Sequence, residues 1–297
     1  MVSAAAIDRN RATPAIVEGE FHFTLEDFRA IAGMIHSDAG IALTESKATL
    51  VYSRLAKRLR VLGLESFAEY CALVASSDGG DERQKMLASL TTNVTRFFRE
   101  PHHFEHLRNE VLPKLLESAR RGGKVRLWSA ACSSGQEPYS IAMTLLAMAP
   151  NAADMDIKIL ATDIDPNVVA FGREGVYGDD LVVGVEPDQL RAYFDPVTSE
   201  RGAKAWSVKE TMRKLVAFRE LNLIGDWPMK GRFDAIFCRN VVIYFEEATQ
   251  SRIWGRFVPL MNPDARLYIG HSERVTGPAV ARLSPDGLTT YKFKGGV

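Results

Sequence analysis

The sequence predicts an α/β protein in which an all-helical region precedes a mostly parallel sheet. Upstream of the Gly122-Gly123 pair, apolar residues recur at helical spacing, whereas downstream short apolar runs alternate with helical stretches. That alternation is typical of parallel strands joined by crossover helices. We therefore expect a flexible tail at 1–20, a helical N-terminal domain at 21–121 and a sheet-containing domain at 122–297.

Helix-start signals divide the N-terminal region into five predicted helices. The residues that begin them are Thr24, Thr44, Ser66, Asp81 and Pro101. Threonine and serine hydroxyls accept hydrogen bonds from otherwise unpaired amides at a helix start, and proline suits the first turn. We expect the fourth helix to run towards Phe98. The fifth should kink or restart at Pro113, which cannot donate a helical hydrogen bond.

The C-terminal region contains apolar runs of strand-like length. They are KVRLWSAAC, IKILATDID, LVAFRELNL, FDAIFCRN, ARLYIGHS and LTTYKFK. We expect the last of them to be an antiparallel edge strand. Between about 176 and 218, turn-forming residues surround short strand-like pieces such as AWSVK, so we expect a small inserted subdomain there.

Composition and charge exclude several classes of protein. Of the 297 residues, 46% are hydrophobic and 25% are charged, and the formal net charge is zero. A neutral chain has no overall field that would draw nucleic acid or a membrane surface, so we expect no nucleic-acid partner and no membrane insertion. The three cysteines are odd in number and far apart, which fits a reducing cytoplasm better than a disulfide framework.

Polar side chains follow four of the predicted strands at the point where each strand ends. They are Glu137, Asp163, Asn222 and Asn240. Ligands of open α/β sheets bind beyond the carboxyl ends of the strands, so these side chains are candidates for ligand contact. Any one of them alone is more often a turn or capping residue. Their recurrence at equivalent places is the signal.

The turn after the first strand indicates the kind of ligand. Its sequence, S-S-G-Q-E-P, lacks both the G-x-G-x-x-G of dinucleotide folds and the Gly-Lys-Ser/Thr of a phosphate-binding loop. Glu137 would repel a pyrophosphate and favours a cationic ligand, while Asp163 can accept hydrogen bonds from both ribose hydroxyls. Asp163 is alternatively a helix cap, although Asp165 suits that role better. S-adenosylmethionine combines a nucleoside with an ammonium group and is the predicted cofactor.

Four segments resemble the chemotaxis receptor methyltransferases, the CheR family. They are LTTNVTRFFRE (90–100), WSAACSSGQEPYS (128–140), ATDID (161–165) and FDAIFCRNVVIYF (233–245). The resemblance extends from about Phe21 to Lys294, and the order of the four motifs makes it specific. One position departs from the family pattern. Gln136 stands where members usually have the first acid of G-E-E-P-Y, whereas the second acid, Glu137, is kept.

The resemblance implies a Rossmann-like class I S-adenosylmethionine-dependent methyltransferase with a helical N-terminal domain and an antiparallel β-subdomain at about 176–218. Its activity would be methyl transfer to glutamate side chains of chemoreceptors, giving glutamyl methyl esters for sensory adaptation and the product S-adenosyl-L-homocysteine. The motif match implies cofactor contacts at Asn93, Thr95, Arg99, Glu137, Asp163, Asn222, Leu223, Asn240 and Val241.

Two residues are candidates for catalysis. A glutamate carboxylate is already ionised at neutral pH and a sulfonium is an activated methyl donor, so the reaction mainly requires positioning and exclusion of water. Arg99 can orient the incoming carboxylate through its planar guanidinium, and Tyr244 can lend a hydroxyl. Without the family, Arg99 would be interpreted as a solvated helix-end residue and Tyr244 as a packed one.

A basic face on the second predicted helix is a candidate docking surface. Lys47, Arg54, Lys57 and Arg58 follow one another at i, i+7, i+10 and i+11. The partner of the family is the cytoplasmic helical domain of chemoreceptors, whose methylation region is acidic. The equally weighted alternative is a solvated face. In some members the β-subdomain also binds a receptor C-terminal peptide by strand addition, and the sequence leaves open whether this one does.

Other interpretations stay open at this point. Another S-adenosylmethionine-dependent methyltransferase, acting on a different protein or on RNA, would keep the cofactor site but leave LTTNVTRFFRE unexplained, and RNA enzymes usually have a more basic surface. A module that binds the cofactor without transferring methyl is the third class. His102, His103 and His106 include an i,i+4 pair, but no third ligand is in view, so no metal is expected.

Overall fold

The computed structural model of the protein describes residues 13–91, 93–199 and 202–295. The chain divides into two compact units, of which the first ends at Thr92 and the second begins at Asn93. None of the helices in the described ranges is both long and apolar enough to cross a membrane.

The boundary between the units lies earlier than the predicted one at 121, which is wrong. Phe104, Leu107 and Leu116, from the fifth predicted helix, are buried in the core of the second unit together with the strand residue Leu127. That helix belongs to the sheet-containing unit because its apolar side is buried against the sheet.

The described residues of the first unit form four α-helices around one apolar core. They are α1 Leu25–Ala39, α2 Ala48–Leu62, α3 Phe67–Ala75 and α4 Gly80–Leu90. Each helix contributes to the core, with Phe28, Leu55, Tyr70 and Met86 as fully or almost fully buried examples. Burial of one apolar side of each helix is what stabilises such short helices in water.

Two predicted helix starts are confirmed and one is shifted. Thr24 and Ser66 each accept a hydrogen bond at 3.2 Å from the amide three residues further on, and so cap α1 and α3. Thr44 makes no such bond, because a 3₁₀ turn at Glu45–Lys47 precedes α2. The same hydroxyl instead lies 2.8 Å from the hydroxyl of Ser46.

The fourth helix ends at Leu90, so the prediction that it runs towards Phe98 is wrong. Phe98 and Glu100 have positive φ angles of 51° and 57°, which an α-helix does not allow. Phe97 is buried in the core of the second unit. Tertiary packing therefore overrides local helix preference between 93 and 100.

The predicted flexible tail at 1–20 lies outside the described residues up to residue 12. In its described part, 13–20, the Ile16 amide donates to the Phe23 carbonyl at 2.9 Å. Glu20 pairs with Arg60 of α2 at 2.6 Å. This part of the segment therefore makes two contacts with the rest of the helical unit, and its flexibility stays a prediction.

The four basic residues predicted to form one docking face have different surroundings. Arg54 donates to three carbonyls at the end of α4, the closest at 2.8 Å. Arg58 forms a two-pronged pair with the Glu82 carboxylate at 2.9 and 2.6 Å. Only Lys47 and Lys57 of the four are exposed. The two arginines thus hold the helical unit together, whereas a docking role for the basic face stays a prediction.

Replacing Arg58 by methionine is expected to lower the free energy of unfolding of the helical unit. The change leaves the Glu82 side chain, 7% exposed, without its cation. Stranding a carboxylate in a partly buried pair costs about 2–3 kcal/mol. The matched control is Arg60→Met, which breaks an exposed ion pair with Glu20 and should leave stability unchanged. Urea unfolding measures both, and equal losses would contradict the structural role of Arg58.

The described residues of the second unit form ten strands. They are β1 Val125–Ala130, β2 Ile157–Asp163, β3 Val176–Gly178, β4 Phe194–Thr198, β5 Lys204–Val208, β6 Val216–Glu220, β7 Phe233–Cys238, β8 Met261–Ile269, β9 Leu283–Gly287 and β10 Thr290–Phe293. Seven of them form one sheet in the order β6-β2-β1-β7-β8-β10-β9. The first five in that order run parallel, as predicted.

The last predicted strand, β10, is antiparallel as expected, but it is not the edge. It pairs with β8 on one side and with β9 on the other. The strand β9 was missed because its sequence, LSPDG, carries a proline and a glycine that indicate a turn.

Helices connect the strands and cover the sheet. They are α5 His102–His106, α6 Leu112–Arg120, α7 Gln136–Met148, α8 Pro166–Glu174, α9 Pro187–Tyr193, α10 Glu210–Arg213 and α11 Glu247–Phe257. A π-helical stretch at Leu107–Val111 joins α5 to α6. It ends two residues before Pro113, and its wider turn accommodates the loss of the hydrogen bond that proline cannot donate. The α-helix thus restarts at Leu112, one of the two predicted outcomes at Pro113.

The inserted β-subdomain is a separate three-stranded antiparallel sheet of order β3-β5-β4. It spans 176–208, so the predicted limit at 218 is one strand too long. The strand β6 pairs in parallel with β2 and belongs to the main sheet.

Candidate cofactor site

The carboxyl ends of β1, β2, β6 and β7 lie along one edge of the main sheet. In the strand register, Ala130 at the end of β1 is paired with Thr162 of β2 and with Cys238 of β7. The chain extends outward from β1 through β2 to β6 and, on the other side, from β7 to β8. The direction in which strands are added therefore reverses between β1 and β7. A reversal of this kind opens a crevice at the carboxyl ends of those two strands, which is where ligands bind in this type of sheet.

The turn that connects β1 to α7, residues 131–135, is called the β1 turn here. Ala131, Ser133 and Gly135 have positive φ angles of 66°, 49° and 94°. A β-carbon on Gly135 would lie 2.8 Å from the hydroxyl of Tyr177 and 3.0 Å from the Gly172 backbone. Glycine is therefore required at this position for two reasons, its conformation and the close approach of its neighbours.

Asp163 ends β2 and holds the β1 turn. Its carboxylate accepts hydrogen bonds from the Ser133 amide at 2.8 Å and from the Asp165 amide at 3.1 Å. Burial raises the pKa of Asp163 to about 6 despite these two bonds. A carboxylate has about four lone-pair sites, so both oxygens retain capacity for ribose hydroxyls.

Asp165 has the capping role that the sequence predicted for it. It caps α8 by accepting a hydrogen bond from the Asn167 amide at 2.9 Å. Its second oxygen accepts from the Asn93 side chain at 3.0 Å, and the Asn93 carbonyl accepts from the Ser133 hydroxyl at 3.3 Å. Asn93 is thereby bonded to both the β1 turn and the start of α8.

Glu137 in the first turn of α7 already has a cationic partner within the protein. Its carboxylate accepts from the Ser129 hydroxyl at 2.6 Å and from the Arg239 guanidinium at 2.9 Å. Burial raises the pKa of Glu137, although Arg239 and Ser129 act in the opposite direction. The sequence predicts that Glu137 pairs with a cationic ligand and gives no sign of Arg239 as its partner.

Arg239 also pairs with Glu100, at 3.2 Å, and donates to the carbonyl of Arg99. Burial alone would raise the pKa of Glu100, but Arg239 and hydrogen bonds from His271 and Asn240 outweigh it and lower the pKa to about 2. With both carboxylates ionised, two negative charges face one positive charge. The remaining negative charge favours a cationic ligand group, so these residues fit the ammonium end of S-adenosylmethionine.

The turn after β7 is held by a residue that the sequence argument also missed. The Glu273 carboxylate accepts four backbone amides at 2.6–3.0 Å, those of Asn240, Val241, Val242 and Gly270. Asn240 has a positive φ of 56° and donates its side-chain amide to Glu100 at 3.3 Å. A carboxylate that accepts several amides fixes the path of a turn, so Glu273 sets the conformation of the predicted contacts Asn240 and Val241.

The turn after β6 carries Asn222 and Leu223. The amide of Leu221 donates to the Asp163 carbonyl at 2.8 Å, which brings this turn beside the end of β2. Asn222 accepts from the Ile224 amide at 3.1 Å, and Leu223 is buried. An apolar residue next to an amide side chain suits the face and the edge of an adenine ring.

Three further predicted residues lie in irregular segments. Arg99 donates to the Val94 carbonyl at 2.8 Å, the one side-chain bond recorded for it within the described ranges. Thr95 is half-buried in the same segment. Tyr244 is half-buried in the 3₁₀ turn Val242–Tyr244 that follows β7. The segment 93–100 and the end of β7 are joined through Arg239, which places these residues around one region.

A carboxylate, that of Glu100, lies close to His102 and His103. Glu100, His102 and His103 bring one ligand atom each within 4.8 Å of one another. Glu100 is engaged by Arg239, whose positive charge at 3.2 Å opposes a metal cation. Burial lowers the pKa of His103 to about 3, and its ring lies 2.8 Å from the Thr289 hydroxyl. This cluster is better explained as part of the Arg239 network than as a metal centre.

Comparison with known proteins identifies the family. The all-alpha domain of the CheR methyltransferases matches residues 26–91, and their SAM-binding domain matches residues 93–285. The chain belongs to the CheR methyltransferase family. Its second unit is accordingly an S-adenosylmethionine-binding methyltransferase domain, and the predicted recognition, fold class and cofactor are confirmed.

Curated relatives cover nearly the same length. A probable chemotaxis protein methyltransferase from Rhizobium etli is 56% identical over 88% of this chain and 97% of its own. The chemotaxis protein methyltransferase of Escherichia coli is 45% identical over 89% of both chains. Chemotaxis protein methyltransferase 2 of Pseudomonas aeruginosa is 44% identical over 88% of this chain and 92% of its own.

The pKa of Asp163 predicts how cofactor affinity depends on pH. If ribose hydroxyls donate to the ionised carboxylate, as the sequence predicts, binding lowers a pKa that is about 6 in the free protein. Binding therefore releases a proton below pH 6, and the Kd for S-adenosyl-L-homocysteine should rise as pH falls, by up to about tenfold per unit. Above about pH 7 the Kd should be level.

Calorimetric titration between pH 5 and 8 checks this, with Asp163→Asn as the control. The variant should bind more weakly at every pH and lose the rise below pH 6, because its amide does not titrate. A parental Kd that stays constant down to pH 5 would contradict the assignment of Asp163 to the ribose.

Proposed function

We propose that the protein transfers a methyl group from S-adenosylmethionine to glutamate side-chain carboxylates of chemoreceptors, giving methyl esters and S-adenosyl-L-homocysteine. The observation that carries this proposal is that both CheR domains match the chain, in order. The curated relatives named above are chemotaxis protein methyltransferases. Its partner is then the cytoplasmic helical domain of a receptor, and it acts in the cytoplasm.

The reaction needs little acid-base chemistry from the protein. When bound, S-adenosylmethionine supplies a methyl group activated by the sulfonium. Asp163 would hold the ribose, and Glu137 with Glu100 would hold the ammonium end. A substrate glutamate is already ionised, since its reference pKa is about 4.3. The remaining task of the protein is to align the carboxylate with the methyl group and to keep water out.

Arg99 is the residue we assign to that alignment. Its guanidinium has five donors in a planar fork that matches a carboxylate, and its side chain is only partly buried. Its backbone carbonyl is bonded to Arg239, which also binds Glu137, so the segment is joined to the cofactor turn. Tyr244, after β7, is the second candidate for contact with the substrate.

Arg99→Ala is expected to lower single-turnover methyl transfer at saturating cofactor and receptor by about 100-fold or more, because positioning is lost while the fold is retained. Arg99→Lys should recover little, since a point charge does not reproduce a two-pronged contact. The matched control is Arg96→Ala. Arg96 is an exposed arginine three residues earlier in the same segment, and its removal should leave the rate unchanged.

Rapid-quench measurement of labelled methyl transfer distinguishes the outcomes. Equal rates for Arg99→Ala and the parent would contradict the role of Arg99. The assignment would then pass to Tyr244 or to positioning by the cofactor turns alone.

Receptor docking on the helical unit involves fewer residues than the sequence suggested. Arg54 and Arg58 bond within the unit, whereas Lys47 and Lys57 are exposed. We therefore assign the attraction of an acidic receptor surface to the two lysines. Exposed charges of this kind act over a Debye length of about 8–10 Å and mainly affect association.

Reversing Lys47 and Lys57 to glutamate should raise the KM for receptor severalfold at low salt, with unchanged cofactor affinity. The defect should shrink as salt is added. The control reverses Lys124 and Lys230, which are exposed and precede the amino ends of β1 and β7, at the edge opposite the cofactor turns. Equal KM changes in both double variants would show a general charge effect rather than a docking surface.

The β-subdomain remains a proposed second receptor contact. The outer strands of its sheet are β3 and β4, and Pro196 removes one amide donor from β4. Addition of a receptor C-terminal peptide to β3 or β4 stays a prediction.

The chemical product separates the proposed function from methylation of RNA or of another protein group. A receptor cytoplasmic domain incubated with methyl-labelled cofactor should release labelled methanol on mild base treatment, because carboxyl methyl esters hydrolyse readily. Label that resists base would contradict the proposal.

A further inference from the structure

We propose that Tyr177, in the first strand of the β-subdomain, is a positioning residue for the cofactor turn. Its hydroxyl donates to the carbonyl of Ser134, in the β1 turn, at 2.8 Å. Tyr177 itself is fully buried, whereas Ser134 is half-buried, so water has limited access to this bond. The inference rests on the assignment of the β1 turn to cofactor binding.

The aromatic ring of Tyr177 makes a second contact that leads to the same site. It packs edge-on against Phe97, with ring centroids 5.2 Å apart and planes at 76°. Phe97 lies between Thr95 and Arg99, and it also packs against Phe194 of β4 at 5.7 Å. Strands of the β-subdomain therefore support the segment that carries both of these predicted site residues.

The turn is shaped to receive this tyrosine. Gly135 brings the backbone so near that an added β-carbon would lie 2.8 Å from the Tyr177 hydroxyl. Burial also raises the pKa of Tyr177 far above its ordinary value, so the hydroxyl stays a proton donor at any working pH. The bond between Tyr177 and Ser134 thus fixes one side of the β1 turn, while Asp163 fixes the other through Ser133.

The chain offers a matched control for this bond. Tyr139, on α7, is 1% exposed, and its hydroxyl donates to the Gly172 carbonyl at 2.9 Å. Both tyrosines are buried, and each loses one hydrogen bond to a backbone carbonyl when changed to phenylalanine. They differ in that only the Tyr177 bond ends on the β1 turn.

Tyr177→Phe should weaken binding of S-adenosyl-L-homocysteine by about 3- to 10-fold, the factor that one net hydrogen bond represents. Both variants should lower the melting temperature by a similar amount. Tyr139→Phe should, however, leave the Kd within about twofold of the parent. Because the ring of Tyr177→Phe still supports Phe97, kcat at saturating cofactor should stay close to the parent while the KM for cofactor rises.

Calorimetric titration, thermal melting and steady-state kinetics on the full chain decide the matter. Equal weakening by the two variants would show general loosening of the core and overturn the inference, as would an unchanged Kd in Tyr177→Phe. Asp163→Ala tests the underlying site separately and should weaken binding about tenfold or more. If Asp163→Ala binds normally, the site assignment fails. If only Tyr177→Phe binds normally, the positioning role alone fails.

Discussion

The candidate site depends on one buried cation, Arg239, at the end of β7. Its guanidinium binds Glu137 in the first turn of α7, Glu100, and the carbonyl of Arg99. Its side chain is 2% exposed and each carboxylate is 12% exposed, so loss of Arg239 would leave two mostly buried carboxylates without their cation. The adjacency of β1 and β7 in the sheet brings these groups together across 102 and 140 residues of sequence.

The turns of the site are rigid because side chains hold their amides, and not because they are rich in glycine. Ser133 and Asn240 both have left-handed backbone conformations, each of which costs a non-glycine residue roughly 1–2 kcal/mol. Asp163 accepts the Ser133 amide, and Glu273 accepts the Asn240 amide together with three others. Charge-assisted hydrogen bonds of this kind offset the strain and order the turns before any ligand arrives, which lowers the entropic cost of binding.

Local sequence patterns predicted the elements, and long-range contacts explain what they missed. The parallel strands and the caps at Thr24 and Ser66 follow from periodicity and from side chains that bond within three residues. Arg239 and Glu273 gave no local signal, because their partners are brought close only by the sheet. The helix expected up to Phe98 failed for the same reason, since burial of Phe97 in the second unit overrides helix preference.

Selection of one glutamate on a receptor must come from the methyl-transfer site and not from the docking charges. If the two exposed lysines of the helical unit act in docking as proposed, they contribute at most about 1 kcal/mol each, are screened by salt and speed encounter with any acidic surface. A carboxylate reacts only when it is in line with the methyl group, and an error of about 1 Å in its position costs on the order of 100-fold in rate. On the proposed role of Arg99, the contacts that hold Arg99, the β1 turn and the turn after β7 in fixed relation therefore matter more for the choice of glutamate than the docking charges do.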